Sequence, residues 1–111
     1  MARTKKANEN KYKEFKYDGK EFQYTGRIYP DYQQETKSKK ATITPISITL
    51  NSVFTIKGCK LFQTDNNAWI KFPEYLHSKE DNEYRSYIYY PEELNEEINE
   101  LVKVIEEALD K

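Results

Sequence analysis

The chain has 111 residues, of which 37% are hydrophobic and 33% are charged. This length allows one small domain with one modest core, and ten tyrosines with five phenylalanines argue against a disordered chain. A single cysteine excludes an internal disulfide, and no apolar run approaches the length of a transmembrane helix, so we expect a cytoplasmic protein without a membrane partner.

Charge is unevenly distributed along the chain, although the formal net charge is only −1. Residues 1–60 contain 13 Lys and Arg against 6 Asp and Glu, whereas residues 61–111 contain 5 against 13. One interpretation is a basic tail with a solvated acidic helix; the other is a basic half that contacts a polyanion. We predict that residues 1–11 are a disordered basic tail and that residues 12–111 form a single domain.

The start of this domain is predicted as a β-hairpin. Asp18-Gly19 separates two runs in which aromatic and charged residues alternate, and this dipeptide favours a tight turn whose two central residues have positive φ. The aromatic pairs across the hairpin would join Phe15 and Tyr17 to Phe22 and Tyr24.

The strongest strand pattern lies in the middle of the chain. Three apolar runs, at residues 46–50, 53–56 and 68–72, are separated by turn-forming residues, and the first alternates strictly with Ser and Thr. This pattern predicts a β-meander of three strands. Gly58 predicts a bulge or bend in the second strand, and Trp69 is interpreted as a core residue of the third.

The segments around the meander are less regular. Pro45 either marks the start of its first strand or kinks an edge segment that precedes it. Residues 31–40 are predicted as a polar loop that ends in a basic cluster, and residues 74–83 as a charged loop. Residues 84–90, which are rich in tyrosine, are predicted as a further strand.

Residues 92–110 are predicted as an amphipathic helix, because Pro91 and the acids that follow suit its first turn. One apolar stripe at helical spacing would pack on the sheet, and its members are Leu94, Ile98, Leu101, Val102, Ile105, Ala108 and Leu109. A second set is interpreted as a solvated face rather than a metal site, namely Glu92, Glu93, Glu96, Glu97 and Glu100. The predicted fold class is α+β, with an antiparallel sheet, formed by the meander and the N-terminal hairpin, packed by one C-terminal helix.

The second half of the chain also resembles a known family in the order and spacing of its motifs. The matching strings are Ile46–Leu50, Phe54–Leu61, Asn66–Pro73, Asp81–Arg85 and Ile88–Pro91, followed by the amphipathic helix. Over residues 46 to about 105 the chain resembles the SpoVG family of stage V sporulation and septation regulators. The resemblance implies a small dimeric α+β protein that binds DNA selectively by sequence, and in some members RNA.

Two departures from the family pattern affect this expectation. The chain adds a basic, aromatic hairpin before the matching region, and the family's basic run after the Phe-Pro is replaced here by Glu74-Tyr75-Leu76. Arg85 does match the arginine of the family motif. We therefore expect the phosphate contacts to have moved toward the N-terminal half of the chain.

Five basic residues are candidate contacts for nucleic acid: Arg27, Lys37, Lys39, Lys40 and Arg85. For any one lysine the alternative is a solubilising role. Cations also alternate with aromatic residues over residues 1–17, a pattern that suits single strands because bases stack on rings while cations follow the backbone.

No catalytic pattern is present in the sequence, so we predict no enzymatic activity, no cofactor and no metal. His77 is the only histidine, the three glycines are scattered, and zinc-ligand spacing is absent. The leading hypothesis is a nucleic-acid-binding regulator of the SpoVG type, a homodimer with DNA favoured over RNA as its partner. The alternatives are a protein–protein interaction module, such as an accessory protein of a mobile element or phage, and a single-stranded DNA-binding protein.

Overall fold

Two sheets and one long helix make up the part of the chain that the computed structural model describes, residues 12–36 and 40–111. The main sheet contains β1 (Lys13–Asp18), β2 (Gln23–Ile28), β3 (Gln34–Glu35), β4 (Thr42–Leu50), β5 (Phe54–Gln63) and β6 (Ala68–Lys71). Its strands are antiparallel in the order β1-β2-β4-β5-β6, and β3 pairs with the start of β4. The second sheet is a hairpin of β7 (Glu74–Ser78) and β8 (Glu83–Ser86), and the helix is α1 (Asn95–Asp110). The predicted α+β class is confirmed.

The predicted meander corresponds to β4, β5 and β6, and the predicted bulge is present at Gly58. Ile46 pairs with Cys59 and Ile48 pairs with Ile56, so one residue of β4 lies opposite two residues of β5. Gly58 has φ +87°, a conformation that glycine adopts without the steric cost of a Cβ. The extra residue resets the alternation of β5, so that Ile56 and Cys59 both face the core although they are three positions apart.

β4 runs through Pro45 without interruption, from Thr42 to Leu50. The carbonyl of Pro45 accepts a hydrogen bond of 3.0 Å from the backbone N–H of Tyr29, which places the polar backbone side of Pro45 toward β2. On this side of β4 the pairing with β2 ends at Ile46 and the pairing with β3 begins at Ile43. No neighbouring strand therefore needs a hydrogen bond from the N–H that proline lacks.

The N-terminal hairpin forms as predicted, but the predicted Asp-Gly turn is wrong. The last strand pair is Asp18 with Gln23, so the loop has four residues, and Gly19 is not among the residues with positive φ. Tyr17 faces Tyr24 with the rings stacked at 5.7 Å, as expected. Phe15 instead faces Gly26. The phenyl ring lies over the glycine, and a Cβ at position 26 would be only 2.6 Å from the ring, so this pairing requires a residue without a side chain.

The core lies between α1 and one face of the main sheet, and the predicted helical stripe forms one side of it. Leu94, Ile98, Leu101, Val102 and Ile105 are buried, and Ala108 and Leu109 are partly buried. The sheet contributes Phe15, Tyr24, Ile28, Ile46, Ile48, Cys59 and Leu61. The Sγ of Cys59 is enclosed by this apolar layer, and burial raises the pKa of the thiol to about 12.

Glu97 corrects the interpretation of the helical glutamates as a solvated face, because its side chain is only 8% exposed. Its carboxylate accepts hydrogen bonds from the backbone N–H of Glu21 at 2.9 Å, from the N–H of Phe22 at 3.1 Å and from the hydroxyl of Tyr24 at 2.7 Å. Burial acts to raise the pKa of this carboxyl, but the hydrogen bonds outweigh burial and the pKa is lowered. The first turn of α1 is therefore fixed to the loop between β1 and β2.

The region after the meander differs from the prediction in two ways. The charged loop predicted over residues 74–83 contains β7, which pairs with β8, and its charged residues Lys79, Glu80 and Asp81 occupy the turn. The strand predicted over residues 84–90 ends at Ser86. The hydroxyl of Ser86 binds the backbone N–H and carbonyl of Ile88, which turns the chain out of the strand.

Candidate nucleic-acid interface

The candidate site is the face of the main sheet that points away from α1, which we call the open face. Because side chains alternate along a strand, the residues between the core residues of β1, β2, β4, β5 and β6 all point to this side. Its main members are Lys16, Thr25, Arg27, Ser47, Thr49, Thr55, Lys57, Lys60, Phe62, Trp69 and Lys71. Within the part of the chain that the structure describes, α1 packs on the opposite side of the sheet, and a 3₁₀ turn, Pro30–Tyr32, borders the open face beside Pro45 and Lys60.

Five cations lie on the open face, one or two from each of four strands: Lys16, Arg27, Lys57, Lys60 and Lys71. Within residues 12–36 and 40–111, Lys16, Lys57 and Lys60 form no ion pair, and Lys71 is 3.7 Å from Glu74. The acids at this face lie toward its margins: Glu14 and Asp18 belong to the edge strand β1, and Asp31 belongs to the short turn after β2, near Lys60. The centre of the open face is therefore positively charged.

Two aromatic rings lie beside these cations at the β6 edge. Phe62 and Trp69 are direct cross-strand partners, and their rings stack at 5.5 Å with an interplanar angle of 17°. The ammonium of Lys71 lies 5.3 Å from the centre of the Phe62 ring. Trp69 is 39% exposed, so its interpretation as a core residue is wrong. Ala68 and Ile70 face the core instead, which puts Trp69 on the other side of β6.

A second aromatic group lies at the opposite end of the open face. The rings of Tyr12 and Tyr29 are 6.2 Å apart, and the guanidinium carbon of Arg27 lies 4.3 Å from the centre of the Tyr12 ring. This cation–π contact restrains the Arg27 side chain while leaving its N–H donors available to a ligand.

Next to Tyr29, which forms part of its wall, the open face forms a shallow groove of about 640 Å³. Four serine and threonine hydroxyls line it, those of Thr25, Ser47, Thr49 and Thr55, together with the cations Lys16, Arg27 and Lys57 and the one acid Glu14. The hydroxyls of Thr49 and Thr55 are 2.8 Å apart and hydrogen-bonded to each other. Hydroxyls and cations are the groups that commonly bind the phosphates and sugars of a nucleic-acid backbone.

The residues predicted from the sequence are only partly brought together. Arg27 lies on the open face, and Lys40 is exposed at a bend just before β4. Arg85 lies in the second sheet, and its guanidinium contacts Glu83 through Nε and Nη2, each at 3.1 Å. Lys37 and Lys39, like the predicted basic tail of residues 1–11, lie outside the described residues.

Sequence reasoning missed three cations of the open face, Lys57, Lys60 and Lys71. In the sequence they are scattered among apolar residues, and Lys57 and Lys60 are three positions apart, which in a regular strand would put them on opposite faces. They share a face because the bulge at Gly58 lies between them. The glycine was the available signal, since a bulge reverses the alternation beyond it.

The acidic residues of α1 lie on the other side of the molecule from the open face. The exposed residues of α1 and of the 3₁₀ turn before it include Glu93, Glu96, Glu100, Glu107 and Asp110. The core separates them from the open face, so the described part of the chain has an acidic surface on α1 and a basic surface on the opposite side of the sheet.

Comparison of the chain with protein-family models, with curated proteins and with solved structures finds no match. Among the described residues, no helix has both the length and the apolar character needed to cross a membrane. Within the same residues, His, Cys, Asp and Glu side chains do not gather in groups of three or more that could hold a metal ion.

Proposed function

We propose that this protein is a non-enzymatic nucleic-acid-binding protein that binds its ligand on the open face. The observation that carries the proposal is the stacked Phe62–Trp69 pair on the same uncovered sheet face as five cations. Aromatic rings for bases and cations for phosphates are the two components that nucleic-acid-binding sheets combine. The proposal agrees with the regulator expected from the resemblance to the SpoVG family.

The triple variant Arg27→Ala, Lys57→Ala, Lys60→Ala is expected to bind a labelled DNA oligonucleotide at least tenfold more weakly than the parent at low salt. Each phosphate contact releases counterions, so the loss of three contacts should reduce the slope of log affinity against log salt by about 2, at roughly 0.7 per contact on a single strand. Fluorescence anisotropy at four salt concentrations measures both quantities.

The matched control removes the same three charges from the rest of the surface: Lys79→Ala, Lys103→Ala, Lys111→Ala. These residues are exposed: Lys79 lies on the second hairpin, Lys103 lies on α1 and Lys111 directly follows α1. The control should keep the slope of the parent. Equal loss of slope in the two triple variants would show that binding depends on net charge alone and would contradict the open face as the site.

Lys40 and Arg85 stay predicted contacts, as do Lys37 and Lys39. Lys40 is exposed near the start of β4, and Arg85 would have to leave Glu83 in order to contact a phosphate. The same assay on Lys37→Ala, Lys39→Ala, Lys40→Ala and on Arg85→Ala tests them separately from the open face.

A protein–protein interaction module is the second candidate function, and the observation that favours it is the aromatic surface of the β7–β8 region. Leu76, Tyr84, Tyr87 and Tyr89 are all at least 42% exposed. Exposed aromatic residues are typical of protein interfaces. If the parent binds no nucleic acid at low salt, this surface becomes the leading site.

A homodimer remains a further prediction, and it derives from the resemblance and from the free sheet edges. β1 and β6 end the main sheet, and each leaves one row of backbone groups available for strand pairing. Sedimentation equilibrium at micromolar concentration should give about twice the chain mass of 13.3 kDa. A species of chain mass across that range would exclude the dimer.

A further inference from the structure

We infer that the open face takes an unpaired stretch of about four to six nucleotides, which crosses the strands diagonally from β6 toward β2 with one base stacked on Trp69. This inference rests on the proposed function and adds the form of the ligand, its path and its length. It is drawn from the order of the groups along the open face.

The groups of the open face are arranged as a path with different chemistry at its two ends. Trp69 stands at the β6 end, and the cross-strand partners Lys71 and Lys60 follow it. Arg27, on β2, stands at the other end beside the hydroxyl-lined groove. A nucleic-acid strand that crosses the β-strands from this end would therefore contact the ring of Trp69 first. It would then contact the ammonium groups of Lys71 and Lys60, and last the hydroxyl-lined groove with Arg27.

The width of this path sets the length of the ligand. From β6 to β2 there are three strand spacings, which amount to about 14 Å at roughly 4.8 Å each. Along the strands, Trp69 lies level with Ile43 of β4 and Arg27 lies level with Ser47, an offset of about 13 Å, so the diagonal path is about 20 Å long. A strand of duplex DNA rises roughly 3.4 Å per nucleotide, and an unpaired strand can extend beyond that value. The path therefore matches about four to six nucleotides.

The shape of the site favours an unpaired strand over a duplex. Trp69 can stack only on a base whose face is free, and the bases of a duplex are stacked on one another. The major groove admits a helix or a narrow β-ribbon, whereas the cations and rings of this site spread over the breadth of a five-strand face. The helix that could enter a groove, α1, carries mainly acidic residues on its exposed side.

Trp69 is the only tryptophan of the chain, so its intrinsic fluorescence reports directly on this end of the path. Unlabelled oligothymidylate of six nucleotides should change that fluorescence on binding, with the same dissociation constant that anisotropy gives for the labelled oligonucleotide. Trp69→Ala should weaken anisotropy-detected binding roughly tenfold or more, the usual effect of removing a ring from a base. Trp69→Phe should restore most of the affinity, and Tyr87→Ala, which removes an exposed ring from the other hairpin region, should have no effect.

Oligonucleotide length tests the path. Oligothymidylates of two, four, six and twelve nucleotides should gain affinity steeply up to about six nucleotides and only slightly beyond that length. Lys57→Ala should weaken binding of the six-nucleotide ligand clearly, but binding of the two-nucleotide ligand by about twofold at most, because a dinucleotide can bind at the Trp69 end alone.

The outcomes separate this inference from the proposed function. A duplex of the same length that binds as tightly as the single strand would overturn the unpaired ligand while leaving the open face as the site. Tight binding to oligothymidylate with unchanged Trp69 fluorescence and an unaffected Trp69→Ala variant would overturn the path. Absence of binding to both single-stranded and duplex DNA at low salt would overturn the proposed function itself.

Discussion

Leu101→Asp is expected to leave the protein unfolded at 25 °C. Leu101 is fully buried between α1 and the main sheet. The variant loses the burial of a leucine, which costs about 2–5 kcal/mol on truncation, and places a carboxylate in an apolar layer at a cost of several kcal/mol more. The sum reaches the stability of a small domain, which is of the order of 5–15 kcal/mol.

Far-ultraviolet circular dichroism and urea titration measure this effect, and Asn99→Asp is the control. Asn99 is exposed on the same helix, so that variant introduces the same charge without burying it. Ile98→Asp should behave like Leu101→Asp, since Ile98 is only 7% exposed. A cooperative urea transition of Leu101→Asp at the parent's midpoint would contradict the packing of α1 on the sheet.

Glu97→Gln is expected to reduce the free energy of unfolding by about 2–4 kcal/mol at pH 7, because hydrogen bonds to a charged acceptor contribute about 1.5–3 kcal/mol each and do not add fully. The glutamine amide would also present N–H donors where the N–H groups of Glu21 and Phe22 already donate. Urea titrations of the parent and the variant measure the difference.

The effect of Glu97→Gln should depend on pH in a defined direction. The pKa of Glu97 is lowered in the folded protein, so its contribution is complete above the unfolded value of about 4.3 and is lost as pH falls through the lower folded value. The parent and the variant should therefore converge in stability as pH falls below about 4. Glu96→Gln, an exposed neighbour, is the control and should show little difference at any pH. A Glu97→Gln difference that is constant from pH 7 to pH 3 would exclude a charged Glu97 as its cause.

The parts of the fold that follow from local periodicity were predictable from the sequence. The stripe from Leu94 to Leu109 and the alternation in residues 46–50 each depend on neighbours within one element. Glu97 was not predictable in this way, because its partners Glu21 and Phe22 are about 75 positions away in the chain. A glutamate on a helix is a surface residue unless a distant loop supplies donors to its carboxylate.

The candidate site was less predictable than the fold, because it depends on which face each residue of a strand occupies. Trp69 lies in an apolar strand, and its neighbours Ala68 and Ile70 are equally suited to a core. Only the pairing register, Phe62 with Trp69 and Leu61 with Ile70, decides which of them points inward. Arg27 was found as an isolated cation, whereas its role as part of a charged surface becomes visible only after β2 and β5 lie on either side of β4.

The acidic surface of α1 lies opposite the basic open face, and this arrangement gives the described part of the molecule an electric dipole although the formal net charge of the chain is only −1. A polyanion that approaches this protein is attracted toward the sheet and repelled from α1, so the dipole orients the encounter before any contact forms. Ions screen such a field within about 8 Å at physiological salt, which confines the effect to the last step of approach. The acidic helix thus contributes to recognition without touching the ligand, because it makes the wrong side of the molecule repulsive.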